Sequence, residues 1–247
     1  MGDQPSDGAS GKGGSLFGKM MRSIGAAHTL GNRVRMVKLP LIFTDQRLYA
    51  GAIANFYWLT LALEKQLMSV QDDPLVSRVL ELGLTGTAKG YEKDLAELLG
   101  PDGWEAAAVA ARTPSTEAYI VILENSSPVQ LVSAAFILYG ALVIGGGKMT
   151  QAKVQKVFPK CTHVLFDVAE DIQEARSDFR KCFNEMGEEY PEHADELVAE
   201  AKKFMDLNNT VVFSIRCLPY WWWQAVAVTT VTAVGVVLAR RRILASR

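Results

Sequence analysis

The sequence predicts an all-α domain, residues 19–218, followed by a single C-terminal membrane-spanning helix. Three observations predict this class. Apolar residues recur every three or four positions along several segments, period-two alternation bounded by hairpin turns is missing, and the three cysteines form no CxxC pair. The 247 residues are 49% hydrophobic and 21% charged, which excludes a wholly disordered, collagen-like or cysteine-stapled chain.

The two ends of the chain differ from its body. Residues 1–18 are rich in Gly, Ser and Asp and poor in large apolar residues, so we expect a disordered lead without a signal peptide. Residues 219–247 hold four of the 26 basic residues and none of the 27 acidic ones, which leaves 22 basic against 27 acidic residues before them. An acidic body lacks the clustered cations that bind phosphates, so nucleic acid is not an expected partner.

Consecutive helices are predicted between these ends. The clearest spans residues 45–68, where apolar residues follow a helical spacing and Thr44 or Asp45 can cap the first turn. Residues 128–158 are apolar nearly all round, so this segment belongs at the centre of the fold. The other predicted helices are residues 74–84, 89–99, 114–124, 164–186 and 191–216.

Four glycines stand in the central segment, Gly140 and the run Gly145-Gly146-Gly147. Each glycine inside a helix costs about 1 kcal/mol relative to alanine, so some gain should offset the cost. One interpretation is a kink that lets the backbone approach a flat ligand. The other is a plain loop between two helices, with Gly147 as the C-cap of the first. The spacing does not match a P-loop.

His28 is the histidine whose surroundings suggest a ligand. It follows Gly25-Ala26-Ala27 on a predicted short helix, so a bulky group could lie against its imidazole. A single histidine does not make a zinc site, but haem needs only one proximal histidine. A structural role for His28 remains the alternative. His163 and His193 lie in polar contexts and are expected at the surface.

Residues 220–239 contain 20 consecutive uncharged residues. As a helix they would be about 30 Å long, which matches the hydrocarbon core of a bilayer. Aromatic residues begin this segment, from Tyr220 to Trp223, and Arg240 to Arg242 follow it, as at membrane interfaces. We therefore expect a tail anchor in residues 219–247, in contact with membrane lipid, rather than a buried core helix. Both the endoplasmic reticulum and the mitochondrial outer membrane fit this pattern.

Four segments together suggest a family. They are FYWLTLALE at 56–64 with His28 ahead of it, YEKDL at 91–95 with Gly100-Pro101, Thr113-Pro114, and LVSAAF at 131–136 before the glycines. In this order and spacing the chain resembles a heme oxygenase from about residue 21 to residue 213. Family members bind haem between two helices and cleave it to biliverdin, ferrous iron and carbon monoxide with electrons from a reductase.

The resemblance assigns residues to this chemistry. His28 would be the proximal ligand of the haem iron, and the glycine-rich helix would cover the distal face. Two arginines would hold the haem propionates, with Arg22 assisting. The implied haem-binding residues are His28, Gly140, Gly145, Gly146, Arg176 and Arg180.

The chain departs from the family on the distal side. The family's distal aspartate, which orders the water network that delivers protons, falls on Leu142 or Val143. Leu138 replaces a distal arginine, and Thr60 stands where a tyrosine of the same network is common. Alkyl side chains remove a proton relay but leave a pocket that still accepts haem.

Three functional interpretations follow. The first is an active heme oxygenase, which forms bilin. The second is a haem-binding relative that has lost ring opening and serves as a carrier or sensor, with a Soret band but no bilin. The third is a membrane-anchored scaffold of the same fold that uses neither haem nor His28.

Overall fold

A computed structural model describes residues 14–219, 222 and 229–232. Within these residues the chain is helical and contains no strand, which confirms the all-α prediction. Short 3₁₀ turns lie at Val164–Phe166 and Pro191–His193. The α-helices of the described residues are α1 Leu16–Ile42, α2 Gln46–Ser69, α3 Pro74–Leu80, α4 Thr87–Leu99, α5 Trp104–Ala110, α6 Pro114–Glu124, α7 Pro128–Val143, α8 Gly147–Val157, α9 Ile172–Glu189 and α10 Ala194–Ser214.

Capping residues explain where several helices begin. The Asp45 carboxylate accepts the backbone N–H of Arg47 at 2.7 Å, so α2 starts one residue after its predicted cap. In α3, α6 and α7 a proline stands in the first turn, and the preceding Asp, Thr or Ser accepts a backbone N–H. The sequence analysis missed α5, and it expected a short helix around His28 where α1 has 27 residues.

The centre of the fold is α7, as predicted. Every residue from Leu131 to Tyr139 is buried, and α2, α3, α9 and α10 pack around the helix. At its α9 side, Phe136 packs edge-on against Phe183 with ring centroids 4.9 Å apart. A helix buried on all sides must be apolar all round, which is what this sequence provides.

The predicted terminal segments lie mostly outside the described residues. Of the expected disordered lead, residues 1–13 are not described, and residues 16–18 form the first turn of α1. The expected span, residues 220–239, is described only at 222 and 229–232. No single helix among the described residues has the length and apolar composition to cross a bilayer. Together α7 and α8 pass that test, but they are bent by 54°, and α7 is core.

Lys38 joins the first and last helices. Its ammonium group donates to the carbonyl oxygens of Val212, Phe213 and Ile215 at 2.9, 2.6 and 2.6 Å. The last carbonyls of a helix have no partner within it and lie at the negative end of its dipole, so a cation there stabilises α10. Burial lowers the pKa of Lys38. The contact holds the C-terminal half of α1 against the end of α10.

Replacing Lys38 should therefore weaken the fold. We expect Lys38→Met, which keeps the length of the side chain, to lower the free energy of unfolding by about 1–3 kcal/mol, because carbonyls lose a charged donor. Lys202→Met is the control, since Lys202 is exposed on α10, the helix that Lys38 caps. Its effect should stay within about 0.5 kcal/mol. Equal effects of the two variants in urea unfolding would contradict the capping role.

Candidate functional site

A cavity of about 720 Å³ lies between α1, the α7–α8 bend, α9 and α10. This volume falls within the range of small-molecule and cofactor sites. The structure brings all six residues of the predicted haem-binding set to its lining, although they are spread over more than 150 positions of sequence. They are His28, Gly140, Gly145, Gly146, Arg176 and Arg180.

His28 lies on the cavity side of α1. Its side chain is exposed, and it makes no hydrogen bond or ion pair with any other described residue. The helix is held against α10 by Asn209, whose side-chain amide donates to the Ala27 carbonyl at 2.8 Å. A Cβ atom at Gly31 would overlap the Asn209 side chain, so glycine permits this close approach. The imidazole is thus presented to the cavity by a fixed helix.

The glycine run forms the bend between α7 and α8. The Gly140 carbonyl accepts from the backbone N–H groups of both Ile144 and Gly145, each at 2.9 Å, so the last turn of α7 is widened. A Cβ atom at Gly145 would overlap the Ala141 carbonyl oxygen, and one at Gly147 would lie 2.6 Å from the Leu142 oxygen. The bend therefore requires glycine. Gly147 is the first residue of α8, not the C-cap of α7.

The cavity face of α7 is apolar. It presents Phe136, Ile137, Gly140, Ala141 and Ile144, whose spacing defines one helix face. Neither Leu142 nor Val143, the two positions to which the sequence analysis assigned the distal acid, lines the cavity. Ala141 and Ile144, on either side of them, do.

Ordinary helical spacing explains this, since Ala141 follows Ile137 by four residues on the cavity face, whereas Leu142 and Val143 are rotated away from that face. Leu138 and Thr60 are also buried away from the cavity. Among the described residues that line the cavity, none carries a carboxylate.

Three arginines line the cavity. Arg176 and Arg180 are four residues apart on α9 and face the same side. The Arg176 Nε donates to the Val143 carbonyl at 2.9 Å and so also caps α7. Arg35 of α1, which the sequence analysis missed, lines the cavity too, whereas Arg22 does not. The sequence does indicate this place for Arg35, because it lies seven residues, or two helical turns, after His28 and so on the same helix face.

Comparison with known proteins decides the family. A model of the heme oxygenase family matches residues 18–214. The chain belongs to the heme oxygenase family. A search of curated protein sequences gave no significant match.

Solved structures of family members share the fold. Heme oxygenase 2 from Chlamydomonas reinhardtii, crystallised without heme, is 27% identical with a TM-score of 0.76, covering 84% of this chain and 100% of its own. Heme oxygenase-1 from Synechocystis sp. PCC6803 in complex with heme is 17% identical with a TM-score of 0.68, covering 92% and 99%. Heme oxygenase-2 from the same cyanobacterium, in complex with heme and NO, is 20% identical with a TM-score of 0.69, covering 82% and 85%.

A second polar cluster of this family member lies away from the cavity. Asp94, Cys161 and His163 are buried, and their potential ligand atoms lie within 4.8 Å of one another. The expected surface position of His163 is wrong, because its ring is buried between the Tyr49 hydroxyl and the Phe158 carbonyl, at 3.3 and 3.0 Å.

The groups of this cluster already have partners. The Asp94 carboxylate accepts the backbone N–H groups of Val164 and Leu165 at 2.8 and 3.0 Å. Burial raises the pKa of Cys161 to about 12, and its thiol donates to the Asp94 carbonyl oxygen at 3.8 Å. We assign the cluster to holding the loop before α9 against α4.

The bend supplies a stability test. Gly145→Ala should lower the free energy of unfolding by about 1–3 kcal/mol, because its methyl group meets the Ala141 carbonyl and the turn cannot move without the core. Gly25→Ala in α1 is the control, since nothing lies within 4 Å of its Cβ position. It should raise stability by about 0.5–1 kcal/mol, as alanine does in helices. Thermal unfolding checks both, and a neutral Gly145→Ala would contradict the steric requirement.

Proposed function

We propose that this heme oxygenase family member binds haem in the cavity between α1 and α7, with His28 as the ligand of the haem iron. One observation carries the proposal. The lining of a single cavity combines an unpartnered histidine, a bend made of glycines without side chains, and a pair of arginines on one helix. These groups match the parts of haem in turn: its iron, its flat ring and its two carboxylates.

The residues present fit such a ligand. The apolar face of α7 suits the porphyrin, because burying apolar surface is favourable at about 25 cal/mol per Å². Arg176 and Arg180 can each make charge-assisted hydrogen bonds to a carboxylate. A Cβ atom at Gly140 or Gly146 would lie 3.5 or 3.4 Å from the nearest side-chain atom, which is ordinary van der Waals contact. Glycine at these two positions is therefore not required by the fold, but it leaves space in the cavity for the ligand.

We propose haem cleavage as the activity. Bound haem supplies the iron at which oxygen reacts, and the family reaction consumes reductase electrons and yields biliverdin, ferrous iron and carbon monoxide. The chain's own residues hold and orient the substrate: His28 fixes the iron side, the arginines fix the rotation of the ring, and α7 keeps water from one face. None of the described side chains on that α7 face can hold or move a proton, so we expect slow turnover.

The apolar distal face also favours a second candidate function, a haem carrier or sensor without ring opening. Ala141 carries this alternative, because it occupies the one turn of α7 where an acid would face the cavity. Binding and turnover are then separable properties of the chain. The carrier binds haem through the same residues but releases it intact.

We further propose that residues 220–239 anchor the protein in the endoplasmic reticulum or the mitochondrial outer membrane. The support is the uncharged stretch of 20 residues, which begins six residues after the end of α10 and is followed by three arginines. A reductase at the same membrane would supply the electrons. The proposal places the haem cavity close to a lipid surface.

Hemin titration tests the iron ligand. We expect the full chain in detergent to give a Soret band at one equivalent, and His28→Ala to weaken binding at least about tenfold, or 1.4 kcal/mol, and to shift the band. His193→Ala is the control, since His193 lies at the 3₁₀ turn before α10, outside the cavity lining. If His28→Ala and the parent chain gave the same spectrum and affinity, His28 would not be the ligand.

An acid placed in the cavity tests the missing proton relay. Ala141→Asp should raise the rate of bilin formation by roughly 10- to 100-fold in the presence of a reductase system, because a general acid can contribute that much. Ala141→Asn has nearly the same size but no ionisable proton, so it should not. Equal bilin rates for the Asp and Asn variants would exclude proton supply at this position as the limiting factor.

A further inference from the structure

Helix α1 carries positive charge in its first two turns and in its C-terminal half. Its 27 residues contain five lysines and arginines and no aspartate or glutamate, in a body that is otherwise acidic. Two of these cations have partners, since Arg35 donates to the Asn32 side chain and Lys38 caps α10. Arg33 is exposed and makes no hydrogen bond or ion pair with another described residue. The helix thus carries a surplus of positive charge at the surface.

The same helix exposes an apolar stripe. Leu30, Val37 and Leu41 are 51%, 70% and 38% exposed, and their spacing of seven and four residues places them on one face. The α1 residues that line the haem cavity, among them His28 and Asn32, lie on a different face. The stripe is therefore not part of the cavity, and no described element covers it.

The stripe lies near the start of the proposed membrane anchor, residues 220–239. Lys38 holds the C-terminal half of α1 against residues 212–215, and Phe213 is itself 48% exposed there. From the end of α10 to residue 220 the chain can extend about 20 Å at most. An anchored chain must keep this half of α1 within that distance of the lipid surface.

We propose that α1 is a membrane-contact surface, with Leu30, Val37 and Leu41 at the interface of an anionic bilayer and Arg33 facing its headgroups. The proposal rests on the proposed anchor. Charge complementarity identifies the occupant, because a helix with apolar and cationic faces binds at the interface of anionic lipids. This contact would hold the helical domain on the membrane, with the cavity face of α1 directed away from the lipid.

The experiment uses the full chain in vesicles. An environment-sensitive dye is attached at Val37→Cys in a Cys217→Ser background, where the other two cysteines are buried. The control site is Met68→Cys, which is also exposed. Met68 lies at the end of α2 that is far from α1, about 33 Å along the helix from Gln46 at 1.5 Å per residue. Vesicles contain phosphatidylcholine with or without 30% phosphatidylserine by design, a choice that varies surface charge alone.

We expect the dye at Val37 to be quenched by acrylamide roughly threefold less in anionic vesicles than in detergent, because the bilayer interface covers it. The dye at Met68 should show no change. Arg33→Glu should restore quenching at Val37 in anionic vesicles while the chain still floats with them.

The possible outcomes separate the two proposals. Flotation without protection at Val37 would overturn the α1 surface and leave the anchor. Failure of the chain to float with vesicles would overturn both. Protection at Val37 that appears in detergent and grows with protein concentration would mean that a second copy of the chain covers the stripe, and would also overturn the proposal.

Discussion

The widened turn at the end of α7 is the constraint on which the rest of the structure depends. The chain changes direction by 54° between Val143 and Gly147, directly after the turn whose Gly140 and Ala141 line the cavity. The Gly140 carbonyl accepts two N–H groups at this turn. Glycine at 145 and 147 is then a steric requirement of the fold, before any ligand is considered.

Helix α9 contacts both this bend and the haem cavity. One face presents Arg176 and Arg180 to the haem cavity, and Arg176 also holds the last turn of α7. The opposite face, with Glu174 and Asp178, lines a separate acidic cleft of about 440 Å³. Residues that bind a ligand and residues that fix the bend are thus partly the same, so loss of Arg176 would affect both stability and binding.

The fold and the catalytic machinery are separable in this family member. Packing of α1, α7, α9 and α10 creates a haem-sized cavity without needing any acid in it. The shape of the cavity on its α7 side requires only small or apolar residues, whereas proton delivery would require a polar group there. A chain can therefore retain the fold and the cavity while its turnover changes, and here the α7 residues in the cavity lining, including Ala141, are apolar.

Sequence alone gave the helical class, the central position of α7, the cap of α2 and six residues that the structure brings to one cavity, because periodicity, capping residues and family spacing can be read from neighbouring positions. It did not determine which residues of α7 face the cavity. Packing of α7 against its neighbouring helices directs Gly140 and Ala141 toward the cavity and buries Leu142 and Val143 elsewhere. Tertiary packing also decided the burial of His163, the role of Lys38 at α10 and the place of Arg35, since each depends on residues distant in sequence.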